Sequence, residues 1–541
     1  MKEGLRRKIL AVPAVLFLIM FLPVFVLIIF EGNNVGYWDG YKQLSLLPNY
    51  ILFFVSILAV GILFLADRLL KHIPDNRYTY AGTIIFSAVV AFVVYRLKIF
   101  VAENVFFIGG WDSGILTNST KWIYEGMNIT KCYEEYFLIC EFNVPAVWIM
   151  YVLYKFVMTV KDYPYFPEFI WAQYETMLYA ATIFLSSITV LVITKRVRYS
   201  LYALIGSAAI LGISLWNIVP YTDGLSILYP AAAFFFYCLF RATLKWWRYI
   251  FWFLCCFAAL VGSIFKITAI IVLFAILLLE LAELVVNSDK KIKVLLICAL
   301  LLICAFLASK FIRQGMYSYL DYVPDEGYHE SWSAVLVSGI NEETTGGIYA
   351  NGYGSMYEYK DQPRIERTKA DIRLIGERLK NMGAAGTIWF FVKKSVMNFN
   401  DGTFSWYKEG SFDYYEYPVL YLNKYTGLLN SLYRDGGKYF YVFTNASQVL
   451  WLIIEFGIIV ETIIVLYRIF KGEHNRRGIT ERVVLITAML GIFVYVMLFE
   501  GRARYLIVNS GIIILLGIIG IVDLFDLFAD KNKSGKTEEA I

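Results

Sequence analysis

Residues Ile9 to Phe30 read ILAVPAVLFLIMFLPVFVLIIF, an uncharged run directly behind Arg6, Arg7 and Lys8. About 20 mainly apolar residues cover the hydrocarbon of a bilayer, so this stretch predicts a membrane-spanning helix. The basic start and apolar run also suggest a signal peptide. The run exceeds the roughly 7–15 residues of a signal core and lacks a clear small-x-small cleavage site, so it is read as the first span. The same reading further along places spans at 48–69, 79–98, 173–194, 200–217, 222–241, 248–265, 267–288, 293–309, 446–467, 480–498 and 505–527. The predicted fold class is an all-α integral membrane protein with about twelve transmembrane helices.

The loops set the register. With the N-terminus in the cytoplasm, the inner segments carry Arg68, Lys71 and Arg77; Lys195, Arg196 and Arg198; Arg241, Lys245 and Arg248; Lys290, Lys291 and Lys293; and Arg468, Lys471, Arg476, Arg477 and Arg482. The short outer connections hold few basic residues, the exceptions being Lys42, Lys266, Arg502 and Arg504. That asymmetry is the positive-inside pattern, and it predicts cytoplasmic N- and C-termini. Two long outer loops follow, at about 99–172 and 310–445, rich in Tyr, Trp, Asp, Asn and Gly. Within them, Val144–Val160 and Ala384–Met397 are predicted to be amphipathic or membrane-surface helices.

Composition agrees. The chain is 59% hydrophobic and 17% charged, against roughly 45–50% and 25% in soluble domains. The basic clusters lie between spans without interleaved aromatics, so they report topology and not nucleic-acid binding. Cys238, Cys255, Cys256, Cys298 and Cys304 fall in apolar blocks and read as small hydrophobes. Cys132 and Cys140 sit in a polar loop and could pair if it faces an oxidising space. His72, His329 and His474 are far apart in sequence, and no Cys/His metal cluster is expected.

Short cytoplasmic loops leave no room for a nucleotide-binding domain, and no GxxxxGK[ST] loop occurs. An enzyme of this shape acts on the outer side, on a substrate that arrives already activated on a lipid. Four acidic residues fall at the outer edge: Asp39 in GYWDGY, Asp112 in GGWDSGIL, Asp223 in NIVPYTDGLS and Glu500 in LFEGRARYL. Such a carboxylate facing a pocket suits general-base work on an acceptor hydroxyl. Arg502 and Arg504 beside Glu500 suit a phosphate, which the guanidinium fork binds bidentately. Each also has an ordinary reading: Asp112 and Asp223 as turn or helix-cap residues, the arginines as snorkelling side chains, and Lys393 and Lys394 as anchors of a surface helix. The sequons at Asn118, Asn128 and Asn445 decide nothing without a compartment.

The order of motifs carries a resemblance. An outer loop opens with WDSGIL, followed by YEG at Tyr124–Gly126 and the FNVP turn at Phe142–Pro145; then come KRVR, YTDGLS and a late FEGRARYL before the final span. In this the chain resembles the GT-C superfamily of polyprenyl-phosphate-sugar-dependent glycosyltransferases, nearest to glycosyltransferase family 39-like proteins, relatives of protein O-mannosyltransferases and the lipid A aminoarabinose transferase. The resemblance covers about residues 79–525 and implies a division into an additional helix pair (1–78), a GT-C-like core (79–309), a second outer loop (310–445) and C-terminal helices with a short cytoplasmic tail (446–541). It implies Asp112 as catalytic base, Asp223 as a second acidic position, Arg502, Arg504 and Lys394 as holders of the lipid phosphate, and Glu500 in support. Where the family often has an adjacent acidic pair or a PNN turn, this chain has WDSG and FNVP.

The implied reaction is one inverting displacement on the outer face of a cell membrane. It moves a sugar from a polyprenyl-phosphate-linked donor to a hydroxyl of an envelope glycan, lipid or protein acceptor, and in principle requires no metal or cofactor. Two other classes stay open: an envelope polysaccharide polymerase or ligase, and a transporter or flippase for a lipid-linked molecule. Against transport stand the absence of an internal repeat and the gathering of polar residues at the outer edge.

Overall fold

The computed structural model describes residues 2–32, 47–107, 109–133, 136–286, 292–325, 332–347, 362–406, 423–473 and 477–538. Asp39, Lys42, His329, His474, Arg476, Lys290 and Lys291 lie outside them. Every regular element among the described residues is helical.

In chain order these are α1 (Lys2–Glu31), α2 (Asn49–Leu70), α3 (Arg77–Val105), α4 (Trp111–Tyr124), α5 (Tyr136–Ile139), α6 (Val144–Thr159), α7 (Phe169–Thr194), α8 (Val197–Ile213), α9 (Thr222–Ser226) and α10 (Leu228–Ala242). They continue with α11 (Trp247–Phe265), α12 (Ile271–Val286), α13 (Ile292–Tyr319), α14 (Trp332–Gly339), α15 (Arg364–Phe399), α16 (Thr426–Tyr433), α17 (Phe440–Phe470), α18 (Ile479–Leu498) and α19 (Ser510–Glu538). Among the described residues, twelve helical stretches are long and apolar enough to cross a membrane. The chain is an all-α integral membrane protein.

Membership of the twelve differs from the sequence reading at two places. By length and composition Glu141–Thr159 qualifies, and Val197–Ile213 falls short. Packing explains both. At its start α8 meets the far ends of two other spans: Arg198 pairs with Asp67 of α2 and Asp526 of α19. Just beyond its other end, the Trp216 indole donates to the Thr403 carbonyl and lies under Arg504, which precedes α19. So α8 and α19 run the length of the bundle side by side in opposite senses, despite the brevity of α8. In contrast, the middle of α6 touches span ends: Trp148 and Tyr151 pack on Tyr319, the last residue of α13, and the Met150 carbonyl accepts from Trp171 at the start of α7. α6 therefore lies across one end of the bundle, as expected of a surface helix.

Helix ends that alternation places on the same side do meet. Arg6 at the start of α1 pairs with Glu283 at the end of α12, Arg241 at the end of α10 reaches Glu280 of α12 and Glu481 of α18, and Arg468 at the end of α17 pairs with Asp523 of α19. We call this the basic end. α17 and α19 form the closest pair: a Cβ on Gly457 would collide with the Gly517 carbonyl, and one on Gly520 with that of Gly457. Such contact of small residues lets helix backbones approach where no hydrophobic drive separates protein from lipid.

α1 is part of this packing. Phe21 sits edge-on to Phe399 of α15 and Phe493 of α18, and both partners are buried. The second long loop holds more helix than its polar composition suggested. α13 continues to Tyr319, and α15 runs through a bend at Gly383, where φ is 64°. Its second half carries the predicted 384–397 segment and ends on buried Phe399. Cys132 carries no disulfide, so the Cys132–Cys140 pairing is not formed.

Candidate functional site

The end opposite the basic one collects the conspicuous polar groups. Gly110 ends the link from α3, and α4 starts at Trp111, which puts Asp112 in its first turn. An acidic side chain there is favoured by the helix dipole, although the N-cap is Gly110 and no side chain caps the helix. Asp112 is half-buried. Its Oδ2 accepts a hydrogen bond from the Tyr221 hydroxyl at 3.0 Å. Tyr136 also hydrogen-bonds to it, and Asn143 of the FNVP turn donates to the Tyr136 oxygen at 2.7 Å. Burial above all, with the Asp112 charge adding, holds the Tyr221 hydroxyl well above the ordinary phenol range. Burial, then Cys140 and Asp112, does the same for Tyr136. Both phenols stay protonated and orient the carboxylate as donors.

Tyr221 lies beside a second group. Extended backbone at Tyr221 gives way to α9, and the next residue but one, Asp223, is buried. Its two oxygens face two cations, Oδ1 to Lys266 Nζ and Oδ2 to Arg504 Nε, each at 3.4 Å. Charge-assisted hydrogen bonds usually run about 2.7–2.9 Å. Neither oxygen has a hydrogen-bond partner among the described residues. Lys266 is presented by the break between α11 and the following 3-10 turn, where its backbone is extended. Arg504 comes from the 3-10 turn Ala503–Asn509 ahead of α19. Aromatic faces line both cations. The Arg504 guanidinium is 4.8 Å from the Trp111 ring, 5.2 Å from Tyr221 and 5.6 Å from Tyr505, and the Lys266 ammonium is 4.6 Å from Tyr505. Cation–π contact of this kind stabilises charge away from water.

A third carboxylate completes the cluster. Glu175, two turns into α7, is fully buried; its Oε1 accepts from the Tyr221 backbone N–H at 3.3 Å. Gly224 lies directly against it, and a Cβ there would collide with Oε2 of Glu175. Oε2 lacks a hydrogen-bond partner among the described residues, as do Tyr179 Oη, Thr222 Oγ1 and Thr268 Oγ1. Buried polar atoms are nearly always paired, so a concentration of unpaired ones marks a place built for something polar.

Thus Asp112, Asp223 and Arg504 come together, and the other candidates form a separate group. Glu500 pairs with Arg502 at 3.0 Å, and Arg502 Nε donates to the Gly347 carbonyl. Lys394 is fully buried, with Nζ bonded to the carbonyls of Gly339, Met497 and Phe499 at 2.6, 2.9 and 2.6 Å. Three carbonyls take every proton an ammonium has, so Lys394 has no donor left for a phosphate. It ties α15 to the ends of α14 and α18. Burial pulls its ammonium down to about 7, with the Glu500 charge acting the other way.

Sequence reasoning passed over Glu175 and left Lys266 uncommitted. Both carried a signal: Glu175 is an ionisable residue within an apolar run, and Lys266 breaks the positive-inside pattern.

A family model described as conserved hypothetical integral membrane protein matches residues 7–523. No curated protein and no solved structure matches the chain.

Proposed function

The chain belongs to that family of conserved hypothetical integral membrane proteins, and from this premise we propose that it is a glycosyltransferase with its site at the end opposite the basic one, on the outer side of a cell membrane. The reading takes the donor to be a polyprenyl-phosphate-linked sugar and the acceptor a hydroxyl of an envelope glycan, lipid or protein. One observation carries it: a half-buried carboxylate with no ion pair among the described residues, Asp112, is joined through Tyr221 to a buried carboxylate flanked by two cations.

That division suits two roles. Asp112 takes the proton of the acceptor hydroxyl, whose oxygen forms a bond to the anomeric carbon. The bond from that carbon to the phosphate oxygen breaks, and polyprenyl phosphate leaves with the electron pair. Arg504 and Lys266, held loosely by Asp223, meet the charge that develops on it. Arg502 and Lys394 are spent on Glu500 and on carbonyls, so this reading moves the phosphate from the three basic residues of the sequence expectation to Arg504 with Lys266. Asp223 and Glu175 hold the cations and the backbone of Tyr221 in place.

The test uses purified protein in lipid nanodiscs with a panel of radiolabelled polyprenyl-phosphate sugars, extracted envelope material as acceptor and no nucleotide. The proposal expects loss of sugar from one class of donor. Intact donors throughout, in the presence of acceptor, would count against it.

A further inference from the structure

In one part of the basic end, where α2, α7, α8, α17, α18 and α19 meet, five guanidiniums and one ammonium among the described residues meet four carboxylates. Arg198 pairs with Asp67 and Asp526, and Arg196 also with Asp526; Lys71 shares Asp67. Arg468 and Arg482 both donate to Oδ2 of Asp523 at 2.6 Å, and Arg482 donates to Glu461 as well. The other oxygen of Asp523 accepts from the Tyr199 hydroxyl at 2.6 Å. Arg477 pairs with no carboxylate among the described residues: its Nε and Nη2 donate to the carbonyls of Ile193 and Val192 at 3.2 and 3.3 Å.

Arg196, Tyr199, Arg468, Arg477, Arg482 and Asp523 line a cavity of about 180 Å³ between the ends of α7, α8, α17, α18 and α19. Its charged lining is Arg196, Arg468, Arg477 and Arg482 against Asp523 alone. Arg468 and Arg482 share Asp523, Arg482 also meets Glu461 and Arg196 meets Asp526, so Arg477, held by carbonyls, is the lining cation whose charge no carboxylate among the described residues offsets. Arg482 is buried, and its Nε has no hydrogen-bond partner among the described residues. The cavity is reachable, since the Arg196 side chain on its rim is 48% exposed.

We propose that this cavity binds a phosphate group. Guanidiniums present forked donors that match phosphate oxygens, and a site with several of them is selective for that geometry over a simple halide. The position at the ends of five apolar helices puts the cavity at headgroup depth, where basic pockets between spans take anionic lipids. The same chemistry serves a phospholipid headgroup or free phosphate. The site is independent of the proposed transferase centre, which lies at the other end of the bundle.

The experiment uses the full chain in nanodiscs of phosphatidylcholine with and without phosphatidylglycerol, and separately with inorganic phosphate against chloride at equal ionic strength. The readouts are the thermal unfolding midpoint and the lipid retained in native mass spectrometry. Arg477→Gln removes the cation that has only carbonyl partners and should weaken binding about tenfold, the scale of one charge-assisted hydrogen bond. If that variant does not fold, Arg196→Gln on the rim serves the same purpose. Lys245→Gln, an exposed change at the same end outside the cavity, should leave binding unchanged. Protection by phosphatidylglycerol alone identifies a lipid headgroup, and protection by inorganic phosphate identifies the free anion; either supports the site when Arg477→Gln weakens it. Protection by neither, or protection equal in wild type and both arginine variants, overturns it.

Discussion

The Tyr221 hydroxyl donates to Oδ2 of Asp112 at 3.0 Å, joining residues 109 positions apart in sequence. The same ring lies 5.2 Å from the Arg504 guanidinium and 5.3 Å from the Lys266 ammonium. One side chain therefore touches both halves of the proposed site.

Replacing that hydroxyl separates its two contacts. Tyr221→Phe keeps the aromatic face against both cations and removes the donor to Asp112. A hydrogen bond to a charged group is worth roughly 1.5–3 kcal/mol, so kcat should fall by about tenfold to a hundredfold. KM for the lipid-linked donor should change little, because the cations keep their aromatic support. Steady-state kinetics in nanodiscs would show the split; a rise in KM with kcat intact would place Tyr221 in donor binding instead.

Arg504 should behave in the opposite way. Arg504→Gln leaves Asp223 buried with Lys266 as its one remaining cation. Removing one partner of a buried pair typically costs about 3–5 kcal/mol, so this variant should lose stability as well as donor affinity. Adding Asp223→Asn should recover part of the stability without restoring affinity. Unfolding midpoints of the two single variants and the double variant, compared as a cycle, measure the coupling. Strict additivity would mean that the pair seen at 3.4 Å contributes nothing.

Lys394 gives a prediction about folding. Lys394→Met should destabilise the chain by about 2–4 kcal/mol, because three buried carbonyls lose their donor. The donor KM of the folded fraction should stay unchanged. The pH dependence follows from burial: the folded value of about 7 lies below the ordinary lysine value. Over the window between them the unfolded chain holds the proton more firmly, so this residue's contribution to stability rises with pH from about 7 towards about 10. It is least favourable below 7. Unfolding at pH 7 and pH 9 should therefore show a gap between wild type and Lys394→Met that widens at the higher pH.

Gly224 tests how α9 sits on Glu175. In Gly224→Ala the new methyl meets Oε2 of a fully buried carboxylate. Overpacking of this sort costs about 1–3 kcal/mol, and Glu175→Ala in the same chain should relieve the clash. Equal midpoints for wild type and Gly224→Ala would show that α9 shifts freely.

Most of the architecture was legible because the bilayer demands long apolar runs and the loops carry charge asymmetry. Helix ends were less so. The hydrophobic run starting at Ile9 says nothing of the turns before it, yet α1 begins at Lys2, and Arg6 is held there by Glu283. By length and apolar content alone α6 qualifies as a span and α8 falls short, yet the sequence reading of α6 as a surface helix and of α8 as a span agrees with what they pack against. In the site, Asp112, Asp223 and Arg504 could be grouped from sequence because alternation puts them on one side. Lys394 could not be read correctly. Its partners are backbone carbonyls of Gly339, Met497 and Phe499, and a carbonyl left open at a helix end leaves no mark in the residue types.

The proposal that Asp112 is the base of a sugar transfer is tested most directly by Asp112→Asn. The substitution keeps the shape of the side chain and its hydrogen-bonding oxygen but cannot take up the acceptor proton. Donor consumption would be followed in nanodiscs with a radiolabelled polyprenyl-phosphate sugar, with folding of the variant checked by its unfolding midpoint. The account predicts a fall in kcat of at least about a hundredfold, within the usual range for loss of a general base, at nearly unchanged donor KM. Consumption at the wild-type rate in a folded Asp112→Asn protein would contradict it.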